Sequence, residues 1–283
     1  MTAGTDSPPV GALPRLRVER RRAWSLGDLA ELWAYRELLY FFVWRDLKVR
    51  YKQTVLGVAW ALLQPVASML VFWLFFGKLA HVPSDGLPYP LFSLAGLVPW
   101  TYFATALTGG SNALVSNQAL ISRVYFPRLL IPLGAVVTPL VDFAISFVLI
   151  AALMAWYGAP VHATLLALPL LLLLLVSAAA AASFWLAALQ AQYRDVRYLV
   201  PFLTQFWLFV TPVVYPASMV PAKWRALYGL NPLAGIITGI RWTLFGGPMD
   251  VSLMAVSVVA IAAALVSGYL YFSRLERTLA DVV

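Results

Sequence analysis

The sequence predicts an all-α polytopic membrane protein, and three observations carry that prediction. Apolar residues make up 62% of the 283 positions and charged residues only 11%, too little polar surface to cover a soluble core of that size. Long apolar runs recur from Val55 almost to the end of the chain. Lys and Arg are also unevenly spread, ten of the twenty lying at or before Lys52.

Residues 1–27 read as a disordered basic tail, polar and Pro-rich through Pro14 and then carrying Arg20, Arg21 and Arg22. Residues 23–31 are too polar for the apolar core of a signal peptide, so no cleaved signal is expected and the first span serves as anchor. Residues 28–53 form the next unit. From Asp28 to Lys52 there is neither Gly nor Pro, and Leu32, Tyr35, Leu39, Val43 and Leu47 recur at helical spacing, which predicts an amphipathic helix in the membrane interface. Glu37, Arg45, Lys48 and Lys52 fall on the other side. Asp46 and Arg50 intrude on the apolar stripe four residues apart, where an intrahelical pair and a specific outside contact are both open.

Residues 54–283 read as a transmembrane domain of six spans. Residues 55–79, 91–114, 129–157, 164–190 and 251–272 each offer the roughly 20 apolar residues a spanning helix needs. Residues 199–215 are shorter and carry Pro201 and Pro212, yet are apolar and aromatic enough to count as a sixth. Six spans put both termini on one side. Sixteen of the twenty basic residues fall on that side, among them Arg123, Arg128, Arg194, Arg197, Arg274 and Arg277, which makes it cytoplasmic. The positive charge thus belongs to membrane topology and headgroups, and no nucleic-acid partner is expected.

Residues 216–248 are too broken to span. Pro221 opens one short helix through Trp224 and Leu227, while Asn231 and Pro232 cap a second that closes at Gly246 and Gly247. The pair suggests a re-entrant hairpin in the outer leaflet, with a surface-lying hairpin as the alternative.

Catalytic signatures are missing. Gly77-Lys78 is followed by Leu79, so no phosphate-binding loop is formed. Cysteine is absent, and the two histidines, His81 and His162, lie near outer ends of spans, so no metal site is expected. Asp142 is the one acid deep within a predicted span. It is either a functional intramembrane carboxylate or a structural one bonded near Thr138 or Ser146. Trp73, Phe76, Trp100, Tyr102, Phe103, Phe206, Trp207 and Phe209 fit interfacial belts. A conduit on which sugar rings stack would want the same residues, but composition alone favours the belt.

The run from Arg45 to Gln53 (RDLKVRYKQ), followed by Leu56-Gly57, Trp60, Gln64 and Pro65, resembles the permease subunits of bacterial ABC exporters for cell-surface polysaccharides, the O-antigen and teichoic-acid exporters. The resemblance continues at Phe126-Pro127-Arg128, at Thr211-Pro212-Val213-Val214-Tyr215-Pro216, at Leu230-Asn231-Pro232 and at Ala280-Asp281-Val282-Val283. It covers nearly the whole chain after about Leu26, leaving the role of residues 1–22 open. It implies a homodimer of permeases in the bacterial inner membrane, driven by two separate ATP-binding subunits. ATP and Mg would be held by those partners, and this chain would carry no cofactor and no enzyme activity. By resemblance, Asn117, Gln118 and Arg123, in the connection over 114–128, resemble the coupling helix that meets the ATPase. The 28–52 helix resembles the interface helix. The cargo implied is a polysaccharide on a polyprenyl pyrophosphate, whose headgroup Arg45, Lys48, Arg50 and Lys52 would attract. A capsule or teichoic-acid exporter is the near alternative. A proton-coupled carrier using Asp142 is the alternative from another class.

Overall fold

The computed structural model describes residues 27–52, 57 and 59–276. The basic tail, Gln53 to Leu56, Arg277 and the Ala280–Val283 motif lie outside the described residues. All regular structure among the described residues is helical.

The expected 28–52 helix is present but divided at Tyr35 into α1 (Gly27–Ala34) and α2 (Arg36–Lys52). Leu32, Tyr35, Leu39, Val43 and Leu47 are half-buried as expected, and Phe42 is buried between them. The other side is less polar than the sequence pattern suggests, because Trp33, Tyr40, Phe41 and Trp44 are exposed there. One apolar face therefore packs on the bundle and a second faces outward.

Among the described residues, five segments are long and apolar enough to cross a membrane. They are α3 (Ala59–Phe72) with its π-helical continuation Trp73–Leu79, α4 (Tyr89–Ser116), α6 (Leu130–Val137) running into α7 (Leu140–Trp156), α8 (Leu168–Gln192) with the 3-10 turn before it, and α12 (Val251–Glu276). They match five expected spans. The expected sixth is α9 (Val196–Val210), only 15 residues long, because Pro212 cannot continue the helix. Between α4 and α6 lies the single turn α5 (Gln118–Ile121).

Helix α4 is the axis of the bundle, apolar on nearly every side and buried along most of its length, as a helix surrounded by others must be. With no water to exclude between helices in lipid, close approach of small residues holds them together. Gly110 of α4 lies against Ser183 of α8, leaving no room for a Cβ, and the Ser183 hydroxyl donates to the Ala106 carbonyl at 3.3 Å.

The hairpin elements form where local chemistry placed them. Helix α10 (Ala222–Tyr228) follows Pro221, and α11 (Pro232–Phe245) starts at Asn231 and ends at Gly246 in a positive-φ conformation. The Asn231 side chain accepts from the Leu233 amide at 3.2 Å. Helix α11 is buried among α4, α8 and α12.

Charge divides the two ends of the bundle. One end gathers Arg45 beside Asn117, Gln190 on Asn112 at 2.6 Å, Tyr271 on Gln192 at 3.0 Å and the Arg128 amide on Glu276 at 3.0 Å. The opposite end joins Thr164 to the Thr243 carbonyl at 3.1 Å, Ser218 to Asp85 at 2.8 Å and Arg225 to Asp250 at 3.6 Å.

Candidate functional site

Helix α2 ends on a polar contact with the bundle. Phe42 seats against Gly134 of α6 and the Phe126 ring, 5.8 Å between centroids, so α2 runs alongside α6. Further along α2, Arg50 and Tyr51 meet Asp142 of the next helix, α7: the guanidinium pairs with Oδ2 and the phenol donates to Oδ1. The sequence spacing allowed an Asp46–Arg50 pair, but the structure partners each elsewhere. Asp46 accepts from the adjacent Arg45 at 2.9 Å. Burial, then the hydrogen bond to Asp142 and the charge of that carboxylate, push the Tyr51 phenol up to about 12 against the pull of Arg50. Lys48 and Lys52 are exposed on the same helix.

Asp142 is not in the middle of a helix. The 130–156 segment is interrupted at Thr138 and Pro139, and Asp142 stands in the first turn of α7, where helix polarity favours a carboxylate. One turn on, the Ser146 hydroxyl donates to the Ala61 carbonyl at 3.0 Å, so Asp142 is level with the first residues of α3. Neither Thr138 nor Ser146 bonds to it; the Thr138 hydroxyl donates to Gly134 at 2.8 Å.

Two cavities abut at this pair. One of about 210 Å³ includes Arg50, Tyr51, Gln64, Thr101, Asp142 and Ser146 in its wall. The other, about 410 Å³, extends toward the basic end past Arg45, Asn112, Ser116 and Asn117. Arg50, Thr105 and Pro139 line both. Thr101, Thr105, Asn112 and Ser116 recur at helical spacing on α4, a polar stripe on a largely apolar helix. Sequence reasoning passed over it, although its three- and four-residue spacing was the available signal.

At the basic end, Arg45 Nη1 donates to Asn117 Oδ1 at 3.0 Å, tying α2 to the turn where α4 ends and α5 begins. Gln118 lines a cleft of about 380 Å³ with Gln190, Arg194 and Arg197. Arg123 is exposed just beyond α5, beside exposed Val124 and Tyr125.

The eight singled-out aromatics separate into different settings. Trp100, Tyr102 and Phe103 are buried within the chain. Phe103 meets Trp207 edge to face at 5.2 Å, and the Trp207 indole donates to Asn231 at 3.0 Å. Trp73 and Phe76 are half-buried, with Lys78 lying over the Trp73 ring at 4.3 Å. Phe206 and Phe209 face outward on α9.

A second feature escaped the sequence reading. Arg241 of α11 is buried, with its guanidinium 3.6 Å from the Phe92 ring centroid. It donates to the carbonyls of Pro212 and Val213 at 2.7 Å each and to that of Phe92 at 3.2 Å, while Tyr89 donates to the Val214 carbonyl at 2.7 Å. The helix break after α9 thus has its backbone oxygens satisfied from within the protein, as non-helical backbone at membrane depth requires. A lone arginine in an apolar helix was the available signal.

The model of the ABC-2 type transporter family matches residues 37–245. The chain is 32% identical over 252 residues to an O-antigen export system permease protein RfbA of Myxococcus xanthus, covering 87% of this chain and 96% of that one. An RfbA of Klebsiella pneumoniae is 26% identical over 248 residues, with 87% and 95% covered. The polysialic acid transport protein KpsM of Escherichia coli is 24% identical over 240 residues, with 83% and 92% covered.

Proposed function

The chain belongs to the ABC-2 type transporter membrane family, and from that premise we propose that it is the permease subunit of an ATP-driven exporter carrying a polyprenyl-pyrophosphate-linked, O-antigen-like polysaccharide outward across the bacterial inner membrane. The observation that carries this reading is the likeness to O-antigen export permeases over almost their full length. A capsule-type cargo is the second reading, favoured by the KpsM relative.

Two copies enclose the route, and two separate ATP-binding subunits work them from the cytoplasm. The chain crosses six times, through α3, α4, α6–α7, α8, α9 and α12, with α10 and α11 forming a re-entrant hairpin from the outer side. The end carrying Arg123, Arg128, Arg194, Arg197 and Arg274 is cytoplasmic, and so are both termini. The asymmetry of charge between the two ends supports this orientation. The motor docks on the exposed surface around α5, where Val124, Tyr125 and Tyr193 stand among basic side chains. Force enters there and reaches α2 through Arg45 and Asn117. The basic residues of α2 draw the cargo's pyrophosphate to the cytoplasmic face. Of the aromatics, Phe206 and Phe209 are the ones placed to line a route between two copies, since Trp100, Tyr102 and Phe103 are packed inside one.

Co-purification with a separate ATP-binding subunit tests the proposal. ATPase activity that rises on joining the two, together with intracellular accumulation of lipid-linked polysaccharide when the chain is deleted, is the expected result. Transport by the purified chain alone under a pH gradient would replace it with a carrier built on Asp142.

A further inference from the structure

The contact between α2 and α7 has the composition of an occupied anion site. Arg50 and Tyr51 present two donors that converge on the two oxygens of one carboxylate, the arrangement that also receives a phosphoryl group. The neighbouring residues of α2, Lys48 and Lys52, are exposed and cationic. Resting on the reading of a lipid-linked cargo, we propose that Asp142 is a displaceable stand-in for the cargo's pyrophosphate: the incoming headgroup takes the seat on Arg50 and Tyr51, and α2 is unfastened from α7.

Three features of the site support exchange over permanent fastening. The ion pair is only half-buried, with side-chain exposures of 40% for Arg50 and 28% for Asp142, and pairs of that kind contribute little to stability. A pyrophosphate carries more charge than a carboxylate and competes for the same donors at an advantage. The displaced carboxylate also has somewhere to go, since Gln64, Thr101 and Ser146 border the same cavity of about 210 Å³. Access comes from the adjoining cavity, which runs past Asn112 and Asn117 toward the basic end. The seat is level with the start of α3, the end of that span which the proposed orientation turns toward the cytoplasm.

Displacement has a mechanical reading. Arg45, on the same helix, holds Asn117 of the α4–α5 turn, so freeing the far end of α2 changes the load on the motor's docking surface. Loading of cargo would thereby be reported to the ATPase side.

Binding to the full-length chain in lipid nanodiscs tests the proposal, with undecaprenyl pyrophosphate, inorganic pyrophosphate and undecaprenol as probes. A competitor that fills the seat most of the time lowers apparent affinity by the fraction left open. Asp142→Asn is therefore expected to tighten undecaprenyl pyrophosphate binding about tenfold. Arg50→Gln is expected to weaken it by a similar factor, and the double variant, which leaves no charge unpaired, should resemble Arg50→Gln. Asp142→Ser serves the same purpose should the asparagine variant fold poorly. Unchanged or weaker binding by folded, neutral Asp142 variants overturns the stand-in, even where the native chain binds the lipid well and the export reading stands. Inorganic pyrophosphate binding as tightly as the lipid form, with both responding to Asp142→Asn, would keep the anion seat and remove the lipid-linked cargo. Equal binding of undecaprenol and undecaprenyl pyrophosphate would overturn the seat itself.

Discussion

Arg45 and Asn117, 72 positions apart in sequence, are joined by a single hydrogen bond of 3.0 Å that links α2 to the turn at the base of α4. Asn117 is fixed on its other side by donating to the Ala113 carbonyl at 2.9 Å, so the bond ties α2 to the last turn of α4, where α5 begins. Arg45→Ala and Asn117→Ala should each lower partner-stimulated ATPase activity and export. The stability loss should stay near about 1 kcal/mol, the scale of one exposed hydrogen bond. The double variant should be no worse than either single one. Additive losses in a double-mutant cycle would show that the bond carries no coupling.

Arg241→Lys should destabilise the protein by about 2–5 kcal/mol. One ammonium cannot reproduce the planar fork that reaches the carbonyls of Pro212, Val213 and Phe92 together. Thermal unfolding in detergent measures the loss, and a melting temperature within a degree of the native one would refute the clamp.

Gly96→Ala strikes the same clamp from α4. An added Cβ would lie 2.6 Å from Arg241 Nη2 and 2.9 Å from the Val213 carbonyl oxygen. A cost of about 1–3 kcal/mol is expected from such overpacking. Gly86→Ala offers a comparison: there the obstacle is positive φ, with open space around the added carbon.

The Tyr51 phenol, raised to about 12 from its ordinary value near 10, makes stability depend on alkaline pH. Below pH 10 both folded and unfolded states hold the proton and its contribution is complete. Between about 10 and 12 the unfolded state ionises first, so stability falls as pH rises through that window. Tyr51→Phe should flatten that part of the profile in denaturation followed across the window. An identical slope in the variant would mean the hydroxyl is not held on Asp142.

What was legible in the sequence was local. Asn231 and Gly246 bound α11 because a cap and a positive-φ terminus are set by neighbouring atoms, and the five long spans follow from run length alone. Contacts between distant residues were not legible. Nothing in a one-dimensional pattern aims Arg50 at Asp142, 92 positions away, in preference to Asp46 one turn back. Trp100, Tyr102 and Phe103 could be read as belt or as lining because aromatic content gives no direction. Their burial follows from the central position of α4, a property of the assembled bundle. The break at Thr138 and Pro139 was visible in the residues, but an uninterrupted apolar run concealed that it puts Asp142 at a helix start.

Helix α9 has a further consequence for the surrounding lipid. Fifteen residues at 1.5 Å each reach about 22 Å, some 8 Å less than a typical hydrocarbon layer. As the proposed sixth crossing, α9 would leave the bilayer beside it short of its usual depth, and two copies that bring their α9 flanks together would shelter that shortfall. Membrane thickness would then become a working variable: sterol-free, short-chain bilayers would accommodate this flank, whereas thicker ones would tilt the helix or drive two such flanks together.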